Sequence, residues 1–198
     1  MSIAEHNNVT ELGIQNLSAL VELQRSSFRA EGEVTHATRI DRLKRLKALI
    51  VENKAEFAKT TKREFNGARS YEFSLFSEFA SKVEAIDYSM KHLKAWMKPE
   101  KRKTNKPMNF LGGKGQVRCF PKGVVGIISP WNLPFGLTVA PLTSALAAGN
   151  RALLKPSEYV PETAALFAEV VPKYFSEDEV AVVTGGADIS QKFAELPF

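Results

Sequence analysis

The sequence predicts an α/β protein: a helical N-terminal segment followed by the first half of an open parallel sheet, incomplete as it stands. Three observations carry that expectation. The runs "GVVGIIS" (123–129), "RALLKP" (151–156) and "EVAVVTGG" (179–186) are short, continuously apolar and about one βα unit apart. Continuous apolarity fits strands buried on both faces of a parallel sheet. The segments between them carry helix punctuation, and everything upstream from about Leu17 to Trp96 reads as helix after helix. Strand, helix, strand, helix, strand is half of a Rossmann-like sheet of nucleotide-binding type.

Residues 1–106 form the helical segment. In "RIDRLKRLKALIVENKAEF", Ile40, Leu43, Leu46, Leu49 and Ile50 recur at steps of three and four, with Arg39, Arg42, Lys44 and Arg45 largely between them. That spacing predicts an apolar stripe with a solvated back. Further on, Phe73, Phe76, Phe79 and Tyr88 predict a helix wedged against a larger body. The run "KPEKRKTNK" (98–106) is either a phosphate-binding patch or, as we read it, a solvated connector; aromatic residues do not interleave with its charges as a single-strand nucleic-acid platform requires. No nucleic-acid partner is expected.

Residues 107–122 form a hairpin or arm. Gly112, Gly113 and Gly115 predict a turn, followed by a short strand with Val117 and Cys119. These glycines precede a strand and lack a P-loop's Lys-Ser/Thr ending, so they do not read as a phosphate cradle. Residues 123–198 form the sheet. Pro141 suits the first turn of one helix and Gly149 its stop, while Pro161 and Glu162 suit the start of the next.

Composition narrows the function classes. A single cysteine, Cys119, excludes an internal disulfide and a cysteine-based metal cluster, and the scattered His6, His36 and His92 do not supply ligand spacing, so no metal is expected. No apolar run approaches the ~18–20 residues of a membrane span. The N-terminus has neither a basic start nor an apolar core. A cytoplasmic protein is expected, in which the triplets at Asn8 and Asn16 are chance matches to a glycosylation pattern.

In open α/β sheets ligands bind at the carboxyl ends of the strands. "KPSE" (155–158) ends the second strand, where a carboxylate accepts bonds from ribose hydroxyls. Glu158 occupies that place, Lys155 adds a donor, and Glu158 would repel a 2′-phosphate, which favours NAD over NADP. A surface lysine followed by a helix cap is the alternative. The first strand ends not in glycines but in "SPWNLPF" (129–135). Asn132 between Pro130 and Pro134 is either a turn asparagine bonding its own backbone or a preorganised neutral donor for an oxyanion.

The succession "PKGVVGIISPWNLPFGLTVAPLTSALAAGNRALLKPSE" resembles the aldehyde dehydrogenase superfamily, and the resemblance runs from about residue 18 to the end. The helical front half is most similar to the coniferyl-aldehyde and class 3 fatty/aromatic-aldehyde branch. The resemblance implies that Asn132 donates to the oxyanion formed when a cysteine thiolate adds to the aldehyde. It implies that Ser129, Pro130 and Trp131 line the nicotinamide side of the cleft. Lys155, Ser157 and Glu158 would hold the adenosine ribose, and Gly185 or Gly186 would let the adenine lie close to the backbone. The implied parent activity is NAD-dependent oxidation of a small aldehyde, such as coniferyl or another aromatic or long-chain aldehyde, to its acid. The implied assembly is a homodimer or homo-oligomer.

The family's "TGS" turn, "ELGG" base motif and nucleophilic cysteine motif do not occur in these residues. Cys119 precedes the first sheet strand and is expected as a buried or edge-strand thiol rather than a nucleophile. The 198 residues alone are therefore expected to be an inactive N-terminal portion. The rivals are a truncated, non-catalytic assembly piece and a CoA-acylating relative.

Overall fold

The structure, a computed structural model, describes residues 3–198, with side chains from residue 17 onward. His6, Asn8 and Asn16 thus lie outside the described side chains. The front half is α1 (Ile3–Glu31), α2 (His36–Glu64), α3 (Tyr71–Ser74), a π-helical turn (Leu75–Ala80) and α4 (Ser81–Trp96). Gly32, at φ +68°, ends α1, and the Thr35 hydroxyl accepts from Thr38 N at 3.1 Å to open α2. These are the stop and cap that helix ends require.

A two-stranded antiparallel hairpin follows, β1 (Glu100–Arg102) and β2 (Gly115–Val117). The chain then enters β3 (Val124–Ile128), α5 (Gly136–Ala147), β4 (Arg151–Lys155), α6 (Pro161–Val170), β5 (Val180–Val182) and α7 (Ala187–Ala194). The strands pair in parallel in the order β3-β4-β5, with Ile128 opposite Lys155 and Leu154 opposite Val182. This is the expected first half of a parallel α/β sheet.

Both faces of the sheet are covered. On one, Leu43, Leu46 and Ile50 of α2 pack with Val139, Leu142 and Leu146 of α5 and with Leu154 and Val180. Phe135 sits at the centre of an aromatic cluster, 4.3 Å from Phe79, 4.7 Å from Phe57 and 5.5 Å from Phe167 between ring centroids. On the other face, Leu17 and Val21 of α1 and Phe193 of α7 cover Val124, Leu153 and Ala181. Gln24 of α1 donates to the carbonyls of Ala152 and Glu177, at 3.0 and 2.9 Å. Among the described residues no helix is long and apolar enough to cross a membrane, and no group of three candidate side chains could hold a metal.

Five local expectations are corrected. Arg39 and Arg42 do not lie on a solvated back of α2, because α1 and the turn after α5 close over that side. Arg39 donates to the Val34 and Ala147 carbonyls, and Arg42, 2% exposed, binds Glu31 and Glu179. Of the four aromatics in 73–88 only Phe79 is wedged inward; Phe73, Phe76 and Tyr88 face solvent. The hairpin draws its first strand from the basic run 98–106, whose backbone pairs while its side chains stay exposed. Pro141 lies inside α5, not in its first turn; Leu137 and Pro141 are both exposed, so the missing N–H falls on the outer side of the helix. Cys119 is exposed and lies beyond the end of β2, neither buried nor on a strand.

Candidate functional site

The carboxyl ends of three parallel strands form one shelf, and the sequence places its candidate residues along it. Ser129 follows β3 and donates its N–H to the Lys155 carbonyl at 3.1 Å; Val183, past β5, donates to Leu154 at 2.8 Å. These bonds continue the ladder one residue past each strand. At ~4.8 Å per strand the shelf spans roughly 10 Å from β3 to β5.

The turn after β3 is held at both ends. Ser129 is buried, and its Oγ stands 2.7 Å from the Thr138 hydroxyl, which donates to the Pro134 carbonyl at 2.6 Å. Phe135 and Gly136 open α5 and give their N–H groups to one oxygen of Glu78, at 2.9 and 3.0 Å. Trp131 is half-exposed and stacks on Phe65, with ring centroids 6.3 Å apart; Arg69 lies 4.0 Å over the other ring of that pair, Phe65. Asn132 is exposed. Among the described residues its side chain bonds neither its own backbone nor any neighbour.

After β4, Lys155 is 1% exposed and donates to the Pro156 carbonyl at 2.9 Å. Its Nζ lies 3.6 Å from the partly exposed Glu158. Ser157 Oγ accepts from Tyr159 N at 3.3 Å, so it shapes the turn that presents Glu158. After β5, Gly185 holds φ +148°, and a Cβ there would come within 2.7 Å of Ile189. Gly186 is the residue from which α7 starts.

Pro130 is exposed between Ser129 and Trp131. The shelf residues Pro130, Trp131 and Asn132 are exposed; hollows of about 530 and 700 Å³ lie elsewhere, at Phe28, Arg39 and Cys119 and along the β1–β2 hairpin. Cys119 is therefore at the amino end of β3, opposite the shelf.

Sequence reasoning missed Glu78. Its carboxyl is 1% exposed, and burial pushes it above the usual carboxylate range despite the two backbone N–H bonds and the nearby Arg69 and Lys82 charges. The signal was a lone acid in the apolar stretch "LFSEFA".

Residues 5–197 match the sequence model of the aldehyde dehydrogenase family. The chain belongs to that family. Relatives include a probable coniferyl aldehyde dehydrogenase of Caulobacter vibrioides, 40% identical over 92% of this chain. A coniferyl aldehyde dehydrogenase of a Pseudomonas species is 37% identical over 96% of it. The chain spans 38% and 39% of those two proteins. Among solved structures, the substrate-bound state of Staphylococcus aureus AldH superposes on the whole chain with a TM-score of 0.84 at 26% identity, using 40% of its own length. An NAD+ complex of an aldehyde dehydrogenase from Bacillus cereus covers 92% of the chain, with a TM-score of 0.76 at 25% identity and 36% of its own length used. In this aldehyde dehydrogenase chain the helical front half and the sheet are thus the parts shared with those relatives, and the shelf lies within the matched residues.

Proposed function

We propose that these residues are the part of an NAD-dependent aldehyde dehydrogenase that supplies the oxyanion donor and the ribose grip. The observation that supports it is the register placing "PWN" and "KPSE" at the carboxyl ends of adjacent strands, with Ile128 opposite Lys155. Asn132 offers its amide N–H to an oxygen that becomes anionic only during reaction. Pro130 and Pro134 restrict the backbone on either side, so that the donor need not reorganise. Ser129 and Trp131 exclude water from one side of the reacting carbon. Lys155 has a third ammonium proton beyond those directed at Pro156 and Glu158, and Glu158 keeps lone pairs for a sugar diol. Those groups fit a ribose; the positive φ of Gly185 leaves the backbone bare for a flat base. A nicotinamide cofactor held by these groups would supply the hydride acceptor. The nucleophilic cysteine and the base are not among these 198 residues, and Cys119 is at the wrong end of β3 to act.

The same proposal takes a small aldehyde as substrate, aromatic or long-chain and coniferyl aldehyde among them, in a cytoplasmic protein. It includes pairing with a second copy, supported by Met108, Phe110, Leu111 and Val117, which the hairpin region presents to solvent. The first measurement is the intact mass of the native gene product. A mass well above 21.9 kDa fits the proposal. In that protein Asn132→Ala should cut kcat by roughly 10²–10³. A native mass of 21.9 kDa, or full turnover in Asn132→Ala, would overturn it, the former leaving a non-catalytic assembly piece.

A further inference from the structure

Glu78 and Arg69 stand on the helical half, yet Glu78 reaches the turn that carries Asn132 directly and Arg69 reaches it through Phe65. Glu78 Oε2 accepts from Phe135 N and Gly136 N. Its other oxygen, Oε1, is 3.7 Å from Arg69 Nη1, and neither atom has a hydrogen bond. The Arg69 guanidinium lies over Phe65, and Phe65 stacks on Trp131. One ion pair therefore grips the turn on both sides of Asn132, through the Trp131 ring before it and the Phe135 and Gly136 amides after it. Gly136 lies close against both neighbours, since a Cβ there would meet Lys82 Cε at 3.1 Å and touch Glu78 at 3.6 Å.

Capping accounts for the two amide bonds, as it does for those that Glu64 accepts at α6. It does not account for the link from Glu78 through Arg69 and Phe65 to Trp131 on the other flank of the turn. A serine or aspartate just before α5 would cap it locally. Here a carboxylate 57 residues away is buried instead, at the cost of desolvating it. The turn bearing it is π-helical, a distortion frequent at functional sites. We propose that Glu78 and Arg69 are a positioning pair for Asn132, fixing the direction of its side-chain donor by holding both flanks of the turn. The inference rests on the oxyanion role proposed above for Asn132.

The test is a double-mutant cycle on kcat in the native gene product, together with amide hydrogen exchange over residues 131–137. Glu78→Ala should lower kcat by on the order of 10², the penalty of a donor misplaced by about 1 Å. In an Asn132→Ala background it should lower kcat no further, because a group acting through Asn132 has nothing left to act on. Exchange at 131–137 should accelerate in Glu78→Ala while that of β4 stays unchanged. Glu78→Gln, which keeps an acceptor for the two N–H groups, should restore the slow exchange.

Losses that multiply across the cycle would make Glu78 merely structural and overturn the proposal, as would unchanged exchange at 131–137. If Glu78→Ala does not fold, the cycle is run with Glu78→Gln. That change loses the attraction to Arg69 and should cost roughly tenfold, again only when Asn132 is present. A harmless Asn132→Ala defeats the oxyanion reading itself; the exchange result then still decides whether Glu78 fixes the turn.

Discussion

A carboxylate at the end of β4 can hold a sugar or hold its neighbour, and Glu158 stands 3.6 Å from Lys155 while remaining partly exposed. A cofactor with a 2′-phosphate would bring negative charge up to that carboxylate. At an effective dielectric of about 40–80, as suits a site open to water, such a pair roughly 4 Å apart costs about 1–2 kcal/mol. Glu158→Gln should therefore raise kcat/KM with NADP relative to NAD by roughly five- to thirtyfold, measured side by side on the native gene product; an unchanged ratio would place the discrimination elsewhere. At this scale the sequence was informative where function needs particular residue types close together. "PWN" and "KPSE" are local words, and strand ends made their places predictable. The role of Glu78 was not predictable: a lone acid in an apolar stretch marks the residue, but its partners lie 57 and 58 residues away and only the fold brings them together.

Helix starts show the same division. Pro161 announces α6 in the sequence itself, and the cap that opens α2, Thr35, is of a residue type that could have done the same. The start of α5 carries no such residue, and Pro141 suggested a start one turn late. The π-helical turn and the strand partner of β2 also left no periodic trace, since both are set by what packs against them. Even α6 is completed from outside: Glu64, the last residue of α2, accepts from the N–H groups of Glu162 and Thr163 at 2.6 and 3.2 Å and from the Thr163 hydroxyl. Two of the three α-helices of the sheet half, α5 and α6, thus begin on carboxylates supplied by the helical half. Glu64→Ala should lower the free energy of unfolding by about 1–2 kcal/mol, seen as a lower urea midpoint at unchanged slope. No measurable loss would mean that water replaces the cap.

Across the whole molecule, one ionic network ties the front helices to the sheet. Arg42 joins Glu31 to Glu179, Arg45 also binds Glu179, and Arg151 joins Glu31 to Asp178. Burial alone would raise the Glu179 carboxyl, but hydrogen bonds and charge from Arg45 and Arg42 outweigh it and hold it below its usual value. Asp178 is likewise held low against burial by the Ser176 and Ser27 hydroxyls and by Arg151. Both groups bind protons more readily in the unfolded chain, so stability rises with pH through their range. Their contribution is complete above the ordinary carboxylate values near pH ~4 and is lost as pH falls through the lowered folded values. The urea midpoint should fall steeply below pH ~4, and Glu179→Gln should start lower at neutral pH but decline less; a parallel decline would remove the network from the account. Glu78 has the opposite sign, so it cannot mimic this effect.

The same network sets a schedule during synthesis. Arg42 and Arg45 meet Glu179 only after more than 130 further residues have been added. At about 5–20 residues per second, α2 waits some 7–27 s on the ribosome for the strand that will anchor it. Until β3, α5 and β4 have been made, its leucine stripe has no sheet to cover it. The arginines that end up buried keep the waiting helix charged and discourage it from sticking to its neighbours.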